Sequence, residues 1–284
     1  MSLLVTITLT LTALLTLLPA ILHLVYRAPR LIETTTPQDQ QIPFTQHYLI
    51  TAKNKKLYSW YMPSKESQAT MVIAHGWGAN MEMMLPIAKP FYKSGLDVLI
   101  YDARNHGQSD SDSFSSLPRF AEDLDTAINW LKQHRPQHQI VLLGHSIGAA
   151  AALLSASRRD DIACLIGISG FAHPKLVMSR HLDRPWLPSL LKSIIMGYIE
   201  WIIGYKFDDI APMHRITQVR CPVILAHGTD DKTVPISDMH RIAQSATQTN
   251  VSTLSIEGAS HDSIERFNQN ASHLVEFIED QLKA

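Results

Sequence analysis

Ile140-Val141-Leu142-Leu143-Gly144-His145-Ser146-Ile147-Gly148-Ala149-Ala150 is the stretch on which the fold turns. Its four leading apolar residues read as a buried strand, and the alanine-rich run from Ala149 reads as a helix. Only a sharp turn separates them, so Ser146 is lifted out where strand passes into helix. A serine held there carries a strained backbone, and glycines two before and two after it let the two backbones pass without a Cβ clash. The helix start also aims its positive end and the Ile147 amide at the space where an oxyanion would form. The competing reading is a glycine-rich turn with an incidental serine, and the flanking strand and helix weigh against it.

Working outward, short apolar runs alternate with longer helical patterns, the rhythm of a mostly parallel sheet covered by helices on both faces. Strands are expected at residues 47–51, 56–62, 70–74, 97–101, 140–143, 163–169, 222–226 and 252–256, the first two as an antiparallel hairpin around Asn54. Helices are expected at 83–93, 117–134, 146–157, 237–246 and 261–282. The long interruption at about 171–216 follows a strand's carboxyl end and reads as a small helical lid.

A serine nucleophile needs a base within hydrogen-bond reach, and the base needs an acceptor on its other ring nitrogen. Among 14 histidines, His261 in Glu257-Gly258-Ala259-Ser260-His261-Asp262 follows the last strand and precedes the final helical pattern. It also gives the chain order Ser, Asp, His. For the acid, Asp230 and Asp231 are adjacent, and side chains one apart point in different directions, so only one can face the histidine.

Gly144-His145-Ser146-Ile147-Gly148, together with Ala74-His75-Gly76-Trp77-Gly78 and His227-Gly228-Thr229-Asp230-Asp231, resembles the α/β-hydrolase superfamily, nearest its lysophospholipase and serine-aminopeptidase-like branch. The resemblance runs from about Leu57 to the C-terminus in the family's motif order. It implies the α/β-hydrolase fold with an eight-stranded sheet, Ser146 as nucleophile and His261 as base. It favours Asp231 as the acid, four after His227 and followed by Val234 and Pro235, with Asp230 kept as the alternative. It further implies the main-chain N–H groups of Trp77 and Ile147 as oxyanion donors, and structural roles for His75, His145 and His227. His106, in the turn Asp102-Ala103-Arg104-Asn105-His106-Gly107, is read with them as a loop-stabilising residue. The implied activity is esterase- or lipase-like hydrolysis of a small-molecule carboxylic ester through an acyl-enzyme, with no cofactor and no metal. Amide, peptide or thioester hydrolysis remains open on the same fold, as does a membrane-tethered binding module without catalysis. The dehalogenase and epoxide hydrolase branches, which use an aspartate nucleophile, are disfavoured by Ser146.

With 284 residues and 45% hydrophobic content, the chain can bury one large core. Its 25 basic and 26 acidic residues are evenly spread, so no nucleic-acid partner is expected. Cys164 and Cys221 sit at the heads of apolar runs, where no disulfide is expected, and no metal-ligand spacing is visible. From Leu3 to Tyr26 there is no charged residue, a run long enough to cross a bilayer. Residues 1–30 are therefore expected to be a single-pass membrane anchor and residues 31–284 the catalytic domain. A cleavable signal would need a basic start and a small-residue cleavage site, which are missing. Arg27 and Arg30 point to a cytoplasmic domain by the positive-inside tendency. The alternation over residues 5–10 and Pro19 leave a buried strand or a soluble leader open. In the lid, residues 187–204 carry only Lys192 and Glu200 as charges; such a helix is either packed on the domain, an acyl-chain pocket, or a lipid-facing patch.

Overall fold

The structure, a computed structural model, describes residues 27–247 and 250–283, with Val5 and Ala20 alone from the leader. The anchor expected over residues 3–26 otherwise lies outside the described residues. Among those described, no helix is long and apolar enough to cross a membrane.

Eight strands form one sheet: β1 (Thr45–Ile50), β2 (Lys56–Met62), β3 (Ala69–Ala74), β4 (Asp97–Tyr101), β5 (Gln139–His145), β6 (Cys164–Ile168), β7 (Val223–Gly228) and β8 (Val251–Ile256). Their order is β1-β2-β4-β3-β5-β6-β7-β8. β1 and β2 form the expected antiparallel hairpin, and β2 runs antiparallel to β4. Every later pairing is parallel. From β3 the chain moves outward to β4, then returns past β3 to β5 and continues the other way. That reversal opens a crevice at the carboxyl ends of β3 and β5, where ligands bind in open α/β sheets.

Both faces are covered, and β3, β4, β6 and β7 are buried at every position, most of them apolar. On one face Val72 and Leu142 pack with α2 (Leu117–His134), α3 (Ile147–Ala156) and, past the lid, α6 (Ser237–Ser245). On the other, Met71, Ile73, Val141 and Leu143 pack with α1 (Met81–Lys93), α7 (Ile264–Gln269) and α8 (Ala271–Leu282). Asn80 caps α1, which starts at Met81, two residues before the expected boundary; its side-chain oxygen accepts from the Met83 N–H at 3.2 Å. Cys164 and Cys221 are buried free thiols.

Two helical expectations are corrected. The span 146–157 begins at Ile147, because Ser146 has φ 55°, outside the helical region. The span 261–282 is a turn followed by α7 and α8, broken at Asn270. His261 therefore sits in the turn, where the Ser260 N–H donates to Ser263 Oγ at 3.0 Å. The lid contains α4 (Pro174–Leu182), α5 (Ser189–Ile203) and the short helical turns Phe207–Ile210 and Pro212–Arg215. The buried face of α5 packs within the lid, in a cluster separate from the two cores of the sheet. Ile195 is buried with Leu182 and Leu187, whereas Leu190 and Trp201 are 73% and 76% exposed.

Candidate active site

β5 delivers Ser146 and β3 delivers the loop beside it. Ala74 of β3 lies opposite Gly144 of β5, so the two strands end at one level. The turn is as tight as its glycines require: a Cβ on Gly144 would come within 2.3 Å of Gly148 O, and one on Gly148 within 2.2 Å of Ala74 O. Neither contact can relax by rotating a side chain, since both partners are backbone.

At the other end of the crevice, Gly228 of β7 lies opposite Ile256 of β8, which brings the loops after them together. Asp231 and His261 meet across that seam. His261 Nε2 is 2.9 Å from Ser146 Oγ, and His261 Nδ1 is 2.7 Å from Asp231 Oδ2. With the Asp231 carboxylate accepting the Nδ1–H, the Nε2 lone pair is left for the serine hydroxyl proton. The other oxygen, Asp231 Oδ1, accepts the main-chain N–H groups of Thr233 at 2.9 Å and Val234 at 2.8 Å. Burial opposes ionisation of Asp231, but hydrogen bonds from His227, His261 and the Val234 N–H outweigh it and hold the carboxyl well below the usual range. Asp230 is exposed and faces away from this chain of bonds.

The candidate oxyanion donors flank the same point. Trp77 follows β3 and Ile147 opens α3, and a Cβ on Gly76 would lie only 3.4 Å from Ser146 Cβ. Among the hydrogen bonds of the described residues, neither main-chain N–H has a protein acceptor. The Trp77 loop is braced by two histidines. His75 Nδ1–H donates to Gly76 O at 2.7 Å and its Nε2 accepts from Ala103 N–H at 2.9 Å. His106 Nε2 accepts from Gly78 N–H at 3.0 Å, while its Nδ1–H donates to Arg104 O at 3.0 Å. Burial first, and then the neighbouring His106, pushes the His75 pKa down to about 3, so the ring is neutral.

A family model described as serine aminopeptidase, S33, matches residues 65–203, from β3 through Ser146 to the end of α5. Alpha/beta hydrolase domain-containing protein 17B of Xenopus tropicalis is 25% identical over 77% of this chain and 69% of its own. Monoglyceride lipase of Rattus norvegicus is 28% identical over 60% of this chain and 56% of its own. The Pyrococcus furiosus esterase Pf2001 superimposes with a TM-score of 0.75 at 24% identity, covering 90% of this chain and 97% of that one.

The chain has the α/β-hydrolase fold.

Within that fold the site has two contacts that the linear string did not disclose. His227 Nε2–H is 2.8 Å from Val234 O and 3.3 Å from Asp231 Oδ2, so this buried histidine gives the carboxylate a second imidazole neighbour. His145 Nε2–H donates to the main-chain oxygen of His261 at 2.9 Å. Both histidines were legible as strand-end residues, but which loop each one holds depends on pairings made more than a hundred residues apart or across a turn.

Proposed function

We propose that the chain is a serine hydrolase of carboxylic esters acting through an acyl-enzyme. The observation that carries this reading is the unbroken line of hydrogen bonds Ser146 Oγ, His261 Nε2, His261 Nδ1, Asp231 Oδ2, with Ser146 itself held at a positive φ. Ser146 Oγ attacks the ester carbonyl carbon as its proton passes to His261 Nε2. The oxygen that gains the electron pair faces the N–H groups of Trp77 and Ile147. Collapse expels the alkoxide, which takes the proton from His261. Water then repeats the sequence on the acyl group and releases the acid and free Ser146.

The esterase and the monoglyceride lipase among the similar proteins support an ester as substrate. The aminopeptidase description of the family model supports amide hydrolysis as a second reading. An apolar acyl group is favoured by the exposed apolar residues Trp186, Leu190, Ile194 and Trp201 of the lid. In this reading residues 3–26 are a single-pass anchor and residues 31–284 the catalytic domain on the cytoplasmic side, as the uncharged run and the following Arg27 and Arg30 favour.

The test is labelling of the purified chain with a fluorophosphonate probe, expected for the native chain and absent for Ser146→Ala. An unlabelled native chain would refute the hydrolase reading and favour a binding module. Turnover of p-nitrophenyl esters of increasing acyl length, set against the matching p-nitroanilides, separates ester from amide preference. Solubility without detergent of both the full chain and a chain starting near Leu31 would refute the anchor.

A further inference from the structure

The two ends of the lid are drawn together by three side chains that the proposed reaction does not use. His173 caps the start of α4, Asp208 lies in the first short turn after α5, and His214 lies in the second. One donor atom of each lies within 4.8 Å of a donor atom of both others. His173 Nε2 is 2.9 Å from Asp208 Oδ1, and its Nδ1 accepts the Lys175 N–H at 3.1 Å, so the neutral ring carries its proton on Nε2. His214 Nδ1–H donates to the main-chain oxygen of Asp208 at 2.9 Å, which leaves the lone pair of its neutral ring on Nε2. An imidazole oriented by a main-chain carbonyl is the usual arrangement of a metal-ligating histidine.

We propose that His173, Asp208 and His214 form a zinc-binding site that pins the lid's first helix to its return segment. Two imidazoles and one carboxylate are the donor set of open zinc sites, with water as the fourth ligand, whereas magnesium and calcium prefer all-oxygen surroundings. At a zinc–ligand length of about 2 Å the donors of a tetrahedral site stand roughly 3.4 Å apart, so a pair at the 4.8 Å limit closes by roughly 1.4 Å and the His173–Asp208 pair opens slightly from 2.9 Å. Asp208 and His214 are exposed, so their side chains have room to make that adjustment. On loading, the His173 proton moves from Nε2 to Nδ1 and the metal takes the Nε2 lone pair. The capping bond from the Lys175 N–H is given up. A second cluster of the same kind, His145, His261 and Asp262, does not compete. Its His261 is committed to Ser146 and Asp231, and its His145 to the His261 carbonyl.

The experiment is a calorimetric titration of the chelator-stripped full chain with zinc chloride, repeated against a chromophoric chelator. The expected result is one zinc per chain. Asp208→Asn and His214→Ala are each expected to weaken binding roughly tenfold or more, with far-UV circular dichroism unchanged. His261→Ala is expected to bind as the native chain does. Zinc is expected to slow tryptic cleavage at Lys175 and Arg180, and not in His214→Ala. No stoichiometric binding, binding that survives both lid variants, or binding lost in His261→Ala would each overturn the site. Fluorophosphonate labelling of Ser146 reads the ester-hydrolase proposal separately, so either can fail without the other.

Discussion

The ring of His145 donates its Nε2–H to the main-chain oxygen of His261, and the two rings lie 5.1 Å apart. The residue just before the candidate nucleophile thus clamps the loop that carries the candidate base. Burial first, and the nearby His261 second, pushes the His145 pKa down to about 4, so the ring stays neutral at physiological pH. The clamp is a hydrogen bond from a neutral donor, and a neutral amide can replace it. His145→Ala is expected to lower kcat on a soluble p-nitrophenyl ester by about 10- to 100-fold through misplacement of His261, with KM nearly unchanged. His145→Gln is expected to recover most of the loss. Full activity in the alanine variant would show that the contact does not position the base.

Only Asp231, of the two adjacent aspartates, bonds to His261 Nδ1, while Asp230 points to solvent. Asp231→Asn puts a donor beside the ring N–H and favours the wrong tautomer, an effect worth about 10⁴-fold in turnover in a serine protease. A loss of that order is expected here, with Asp230→Asn within about twofold of the native chain. The reverse pattern would move the acid to Asp230.

The nucleophile turn was legible because its constraint is local: a strand, a helix and two glycines within nine residues leave the backbone one course. The same holds for the strands of the sheet, whose ends moved by only a few residues. His261 was legible by its place after the last strand, but the turn that holds it was not, since the helical pattern of 264–282 extends backward without a break signal. The outward face of α5 was hidden for a different reason. Hydropathy records that Leu190, Ile194 and Trp201 are apolar, and says nothing of whether another surface covers them. His145 with His261, and His173 with Asp208 and His214, are products of chain crossing, and spacing along the string carries no trace of them.

A methyl group on Gly148 has nowhere to go, since its carbon would stand 2.2 Å from Ala74 O and 2.7 Å from His75 O, both in the backbone. Gly148→Ala is expected to destabilise the fold by about 3 kcal/mol or more, as overpacking against a rigid neighbour does. For a chain of this size that corresponds to a fall in Tm of roughly 6–12 °C in a calorimetric scan. Retention of the native Tm would mean that β3 and α3 can separate, contrary to the packing of the turn.

Acid should weaken the fold in two stages. Burial holds His75 at about 3 and His145 at about 4, against 6.5 for a histidine in the open chain. Between about pH 6.5 and pH 4 these two residues alone bind up to two more protons in the unfolded chain than in the folded one, and stability falls as pH is lowered. Above about pH 6.5 this contribution is fully present. Asp231, whose folded pKa is depressed, contributes stability that is present above about pH 4 and lost below it. Guanidinium unfolding midpoints measured from pH 7.5 to 4.5 are expected to decline steadily below about 6.5. A flat profile would show that the two rings become protonated in the folded chain.

The outer face of α5 is the part of the molecule where substrate preference can be changed without touching the triad. Trp201 and Leu190 are exposed while Ile195, on the opposite side of the same helix, is only 4% exposed. Exposed apolar side chains contribute little to stability, so Trp201→Ser is expected to leave Tm within a degree or two. Burying a large apolar side chain against a ligand is worth about 1.5–3 kcal/mol, or roughly 10- to 100-fold in affinity. If this face meets the acyl chain, Trp201→Ser raises the apparent KM for a p-nitrophenyl palmitate about tenfold and leaves that for the acetate unchanged. Equal effects on the two esters would assign Trp201 to the general stability of the lid, and no effect on either would remove the lid face from substrate binding.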